Sequence, residues 1–243
     1  MTYEPPGAGR YWGQPLYGPG TAAEIDAGLR QYMVRVYSYM AAGLAISGLV
    51  AYLAASTGFY QQIAGTPLLW IVMLAPLGMV LLLGFGINRM SIAGAFLAFW
   101  IFAALMGLSL AGIFLVFTGA SIARVFFISS ATFAAMSLYG YTTGRDLSRF
   151  GAFLFMGLIG IVIASLVNIF VGSNALQFAI SVIGVIVFTG LTAYDTQRIK
   201  QVYLANDPAD MTTKKAILGA LTLYLDFINL FVMLLQLTGQ RRD

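Results

Sequence analysis

The sequence predicts an all-α polytopic membrane protein, a bundle of seven transmembrane helices. Three observations carry the class. Apolar residues make up 60% of the 243 residues and charged residues only 9%, whereas a soluble domain carries about 25% charged residues. The apolar excess is gathered into seven long stretches, and a spanning helix needs roughly 20 mostly apolar residues at about 1.5 Å of rise each. The stretches are joined by short connections rich in turn formers.

Residues 1–27 hold Pro5, Pro6, Pro15 and Pro19, five glycines, and Tyr3, Tyr11, Trp12 and Tyr17. That composition does not pack, so a disordered cytosolic tail is expected. It lacks the apolar core of a signal peptide. Residues 28–243 then form the transmembrane domain. Spans are expected near residues 31–56, 66–87, 91–117, 122–141, 149–171, 175–197 and 215–238. Turn signals separate them: Gly58, Asn88, Gly119, Gly144, Gly172 to Asn174, and Asn206 to Pro208. The pairs Gly43/Ser47, Gly107/Ala111 and Gly160/Ala164 put small residues one helical turn apart, which lets membrane helices approach closely.

Basic residues orient the bundle. With the N-terminus inside, Arg10, Arg30, Arg35, Arg89, Arg145, Arg149, Arg198, Lys200, Lys214 and Lys215 fall in cytosolic segments, and only Arg124, Arg241 and Arg242 fall on the other side. The positive-inside rule then gives a cytosolic N-terminus and, after seven spans, an external C-terminus. Arg241 and Arg242 favour the alternative of a last segment that re-enters and returns inside. The net charge of +4 fits this loop asymmetry and carries no basic, aromatic-interleaved patch for nucleic acid.

The chain has no cysteine and no histidine. Thiolate and imidazole chemistry, including Ser–His catalysis and a histidine pH switch, is excluded. Proton-responsive behaviour falls to carboxylates. Of nine acids, only Asp195 and Asp226 lie inside the apolar stretches. An ionisable group there costs at least ~2.5 kcal/mol near the bilayer centre, so it usually marks a water-filled path or an ion site, with a buried polar clasp between helices as the alternative.

Asp226 belongs to a polar stripe with Thr222, Asn229 and Gln236 at helical spacing, and Asp195 follows Thr192 by three residues, with Ser181 eleven residues before Thr192. Thr192, Thr222, Asn229 and Gln236 are therefore candidate pore-lining residues. Reflection about the turn near Asp207 puts residue 219 opposite Asp195 and leaves Asp226 about 10 Å deeper. Pairing of the two acids thus requires a tilt, an axial slide or an uneven loop. Two carboxylates that do meet cannot both ionise cheaply and share a proton. Arg89 falls at the cytosolic end of the second span, at about the expected depth of Asp195, where it could latch the ionised carboxylate.

Two stretches resemble the signatures of the transmembrane Bax inhibitor motif family (Bax inhibitor/YccA-like): residues 190–200, Gly-Leu-Thr-Ala-Tyr-Asp-Thr-Gln-Arg-Ile-Lys, and residues 220–231, Ala-Leu-Thr-Leu-Tyr-Leu-Asp-Phe-Ile-Asn-Leu-Phe. The resemblance covers roughly residues 28–238. It implies a bacterial inner-membrane member, a seven-helix bundle with the last helix at its centre, and a pH-sensitive calcium leak. The paired acids of the family carry over onto Asp195 and Asp226, and the latch arginine onto Arg89. Calcium is implied as the permeant ion, held transiently by Asp195 and Asp226, with no resident cofactor. The lipid bilayer and protons are the other expected partners.

Two alternatives compete. Some members of the family associate with a membrane-bound protease, which implies a non-transporting regulator. Two aspartates on consecutive spans also suit an intramembrane aspartyl protease, but Leu223-Tyr224-Leu225 precede Asp226 where such enzymes carry Gly-x-Gly.

Overall fold

A computed structural model describes residues 22–242. Its helices are α1 (Ala22–Ser56), α2 (Phe59–Ile63), α3 (Leu68–Gly86), α4 (Ile92–Leu110), α5 (Gly112–Val116), α6 (Gly119–Thr142), α7 (Ser148–Val171), α8 (Asn174–Val202) and α9 (Ala209–Thr238). Seven segments are long and apolar enough to cross a membrane. The third consists of α4 and α5, which meet at the buried Ala111. The chain is an all-α polytopic membrane protein. Most of the expected tail lies outside the described residues, but residues 22–27 are the first turns of α1 rather than tail.

Helix ends follow local chemistry. Ser91, Thr118 and Ser173 cap α4, α6 and α8 by accepting hydrogen bonds from the N–H groups of Gly94, Ser121 and Leu176. Gly172 ends α7 with φ of 64°, in the left-handed region that glycine reaches without a Cβ clash. Gly119 is not a turn residue but the first residue of α6.

The small residues sort by what they face. A Cβ on Gly107 would lie 2.8 Å from Ser47 Cα, and one on Gly43 would lie 3.1 Å from the Phe99 ring, so α1 and α4 approach where side chains are absent. Gly160 meets nothing within 4 Å and faces outward, against the expectation of a packing contact. Ser47 Oγ bonds Ala103 O at 2.6 Å and Tyr224 Oη at 2.6 Å, tying α1, α4 and α9 together.

α9 packs on α1, α3, α4, α6 and α8. In its most apolar stretch 61% of residues are buried, while no other span exceeds 44%. It is one unbroken helix of 30 residues. The start of α1 packs beside Tyr203, just after α8. The end of α9 lies against the α5–α6 junction, where Thr118 N–H donates to Gln240 O, Arg242 N–H to Val116 O, and Gln240 N–H to Ser121 Oγ. The two ends of the described chain are therefore at opposite ends of the bundle. α9 thus runs unbroken from one end of the bundle to the other, where a re-entrant segment would turn back.

Candidate functional site

Asp195 and Asp226 are buried, with 9% and 5% of their surfaces exposed. Asp26 and Asp210 also fall in helices, but in exposed first turns of α1 and α9. The carboxyl groups of Asp195 and Asp226 lie within hydrogen-bonding reach of each other. The α8–α9 register explains how. Ile199 packs at Gly219, Gly184 at Met233, and Ser181 Oγ donates to Gln236 Oε1 at 3.0 Å. Continuing that register puts residue 222 or 223 opposite Asp195, so Asp226 is only about one turn, ~5 Å, deeper. The larger offset expected from the sequence placed the turn at Asp207; the loop is uneven, and α9 begins beyond the end of α8. Side chains on a helix lean toward its N-terminus. In this antiparallel pair the lean carries Asp195 deeper and Asp226 outward, and the two converge.

Arg89 is not at that depth. It closes a short turn (Ile87–Arg89) after α3, and Lys214 Nζ donates to the neighbouring Asn88 O at 3.4 Å. The level of Lys214 is eight residues along α9 from the level of Asp195, roughly 12 Å. Arg89 is exposed and forms no ion pair with Asp195. The cation whose charge reaches Asp195 is Arg198, one turn away on the same helix. Among the described residues the one salt bridge joins Lys215 to Asp207, on the loop between α8 and α9.

The candidate pore-lining groups are largely held by their own helices. Thr192 Oγ1 donates to Phe188 O at 2.8 Å, Thr222 Oγ1 to Leu218 O at 3.1 Å, and Asn229 Nδ2 to Leu225 O at 2.8 Å. Gln236 joins a polar clasp at the far end, where its Oε1 accepts from Gln177 Nε2 and Ser181 Oγ, and Asn168 Nδ2 donates to Gln177 Oε1. A cavity of about 690 Å³ opens between α1 and α6, but its lining is apolar apart from Ser47 and Ser130 and excludes Asp195, Asp226 and all four of these residues. No group of three acids that could hold a metal exists among the described residues.

The residues flanking Asp195 fix α8 in place. Thr196 Oγ1 bonds Ser137 Oγ at 2.9 Å, and Ser137 also bonds Tyr37 Oη, linking α8, α6 and α1. Gln197 accepts from Leu147 N–H and donates to Arg145 O, which pins the α6–α7 loop. Lys200 Nζ donates to Tyr141 O and sits 5.0 Å from the Tyr141 ring centre. None of these anchors was expected from the sequence. Their one legible signal was the polar run from Asp195 to Lys200 where an apolar span should have ended.

These features define a class: a seven-span, all-α membrane protein with two buried acids on its last two helices. Residues 29–243 match the family described as Inhibitor of apoptosis-promoting Bax1, and the chain belongs to that family of non-catalytic membrane proteins. It is similar to an uncharacterized protein of Rickettsia prowazekii, 49% identical over 220 residues that span 90% of this chain and 93% of the relative. It is similar to the inner membrane protein YbhL of Escherichia coli K12, also 49% identical over 220 residues, 89% of this chain and 94% of YbhL. An uncharacterized protein of Caulobacter vibrioides is 43% identical over 231 residues, 90% of this chain and 92% of the relative.

Proposed function

We propose that the protein is a pH-responsive cation leak in a bacterial inner membrane, N-terminus cytosolic, with calcium as the permeant ion and the Asp195–Asp226 pair as its gate. The observation that carries the reading is the burial of two adjoining acids between α8 and α9, the two spans most enclosed by the rest of the chain. Two acids kept at membrane depth, against a cost of ~2.5 kcal/mol or more each, argue for an ion or proton role. Arg198 is the one cation whose charge reaches Asp195, and the charged group that reaches Asp226 is Asp195 itself.

Adjoining carboxyls hold one proton between them. In the proposed cycle, loss of that proton leaves two carboxylates that repel. Asp195 then turns toward Arg198, with Arg89 beyond it at the mouth, and the path closes. Acidification restores the shared proton, releases Asp195 from the cations and lets α9, as the central helix, shift. Further acidification protonates both groups and removes the charge that draws in a divalent cation. Flux therefore passes through a maximum at mildly acidic pH. Thr192, Thr222, Asn229 and Gln236 line the path only in the open arrangement, where they exchange bonds to their own helices for bonds to water or ion.

The test is calcium flux into proteoliposomes between about pH 5 and about pH 9. Asp226→Asn and Asp195→Asn each remove the shared proton and flatten the profile, and Arg89→Ala raises flux at the alkaline end. Wild-type pH profiles in both aspartate variants would refute the gate. No flux from correctly inserted wild type would favour the regulator of a membrane protease instead.

A further inference from the structure

α1 packs on α4 and α9, and α6 packs on α8 and α9, but α1 and α6 scarcely meet each other. A hydrogen bond between Tyr37 Oη on α1 and Ser137 Oγ on α6 spans the gap. Two cavities occupy the rest of it. One of about 530 Å³ has Arg30, Tyr37, Ser137 and Tyr141 in its wall. The cavity of about 690 Å³ described above continues it, and Phe133 lines both. Val34 and Leu138 at one end and Leu49 and Phe127 at the other are exposed, so the groove opens sideways toward lipid. At its deeper end it reaches α9 at Phe227, Ile228 and Phe231.

The groove is graded in polarity. At the end where α1 begins, Arg30 is exposed and joins no salt bridge among the described residues. Lys200 stands beside the Tyr141 wall and uses one of its donors on Tyr141 O. Asp26 lies one turn farther out along α1. Two turns in from Arg30 come the hydroxyls of Tyr37 and Ser137. Beyond them Ser47 and Ser130 are the polar side chains of the lining, and their hydroxyls already donate to Ala103 O and Phe126 O. A cation, then hydroxyls, then apolar walls is the order in which a phospholipid presents its phosphate, its ester oxygens and its acyl chain. The length agrees. The Tyr37–Ser137 bond sets the register of α1 against α6, and Phe227 lies between Phe126 and Phe133. Phe227 is then level with about Leu44, ~21 Å along α1 from Arg30. One leaflet supplies ~15 Å of a ~30 Å hydrocarbon core, with the headgroup zone above it.

We propose that this groove binds one anionic phospholipid from the leaflet where α1 enters, with its phosphate on Arg30 beside Lys200 and one acyl chain laid between α1 and α6 onto Phe227. Basic pockets between membrane helices hold anionic headgroups, and Arg offers paired N–H groups to phosphate oxygens. The site is separate from the acid pair and does not rest on the leak proposed above.

The test titrates the full-length protein in detergent with phosphatidylglycerol and, separately, with phosphatidylcholine of identical chains, and counts bound lipid by native mass spectrometry. The expected result is one phosphatidylglycerol per chain, held about fivefold or more tighter than phosphatidylcholine. Arg30→Gln weakens phosphatidylglycerol about fivefold and leaves phosphatidylcholine unchanged. Arg149→Gln, which removes an exposed cation at the start of α7, alters neither. Ala134→Trp projects a large ring into the groove from an exposed position and abolishes the bound lipid of either kind. If Ala134→Trp does not fold, Ala41→Trp blocks the groove from the α1 side and is read in the same way. Equal affinity for the two lipids, equal losses from Arg30→Gln and Arg149→Gln, or one bound lipid in the folded, blocked variant overturns the site.

Discussion

The closest helix contact near the gate lies at Gly140, and a methyl group there is a sharp probe. A Cβ on Gly140 would fall 2.8 Å from the carbonyl carbon of Ala193 and 2.9 Å from its Cα, and closer still to the carbonyl oxygen. Ordinary contact begins at 3.4 Å, so α6 and α8 must part by at least about 0.6 Å, in an interior that resists such expansion. Overpacking of this kind costs about 1–3 kcal/mol. Gly160 is the matched control, because nothing lies within 4 Å of its Cβ position. There the same change gains helix propensity of up to about 1 kcal/mol. Gly140→Ala is expected to melt in detergent about 5 °C or more below Gly160→Ala. The parting also loosens the Ser137–Thr196 bond and moves Asp195 relative to Asp226, so the pH profile of flux shifts with Gly140→Ala and not with Gly160→Ala. Equal melting temperatures for the two variants would refute the close packing of α6 on α8.

Two further outcomes follow from the ends and loops. Removal of residues 239–243 takes away the three bonds that tie the end of α9 to Val116, Thr118 and Ser121; amide exchange in the last turn of α9 should accelerate, and unchanged exchange would show the tie to be idle. Asp146 lies in the exposed loop between α6 and α7, where Ser148, through its hydroxyl and N–H, holds the carboxyl below the usual range. A carboxyl lowered on folding adds stability that is present above its ordinary range and lost as pH falls through the lowered value. Ser148→Ala should therefore narrow the difference in Tm between neutral and acidic pH, and an unaltered acid dependence would refute this cap.

The number of spans was legible because hydropathy reports directly on what lipid must solvate. The ends were less so. α8 runs on to Val202 and α9 begins at Ala209, because Arg198, Lys200, Lys214 and Lys215 continue the helices past the apolar core into the polar zone, where hydropathy no longer marks them. The apparent depth mismatch between Asp195 and Asp226 had a different source: α9 begins beyond the level where α8 ends, so reflection about the turn set Asp195 opposite a residue too near the start of α9. The identity of the two acids was plain from composition, since a carboxylate in an apolar run is too costly to be an ordinary packing residue. Arg89 was placed by counting along its own span, but its depth beside α9 depends on the tertiary approach of the turn at Asn88 to Lys214.

The most enclosed helix is made after the six other spans. While the ribosome is still reading the C-terminal part, α1, α4, α6 and α8 already stand in the membrane with the faces that α9 will cover open to lipid, water or one another. The Ser47 hydroxyl waits for Tyr224, and Asp195 waits for Asp226. Assembly of the bundle therefore waits for α9: a message cut short before Ala209 leaves α1, α3, α4, α6 and α8 without the helix that packs on all of them. The short tie between residues 240–242 and residues 116–118 forms only after α9 has been translated, and it fastens that helix once it is in place.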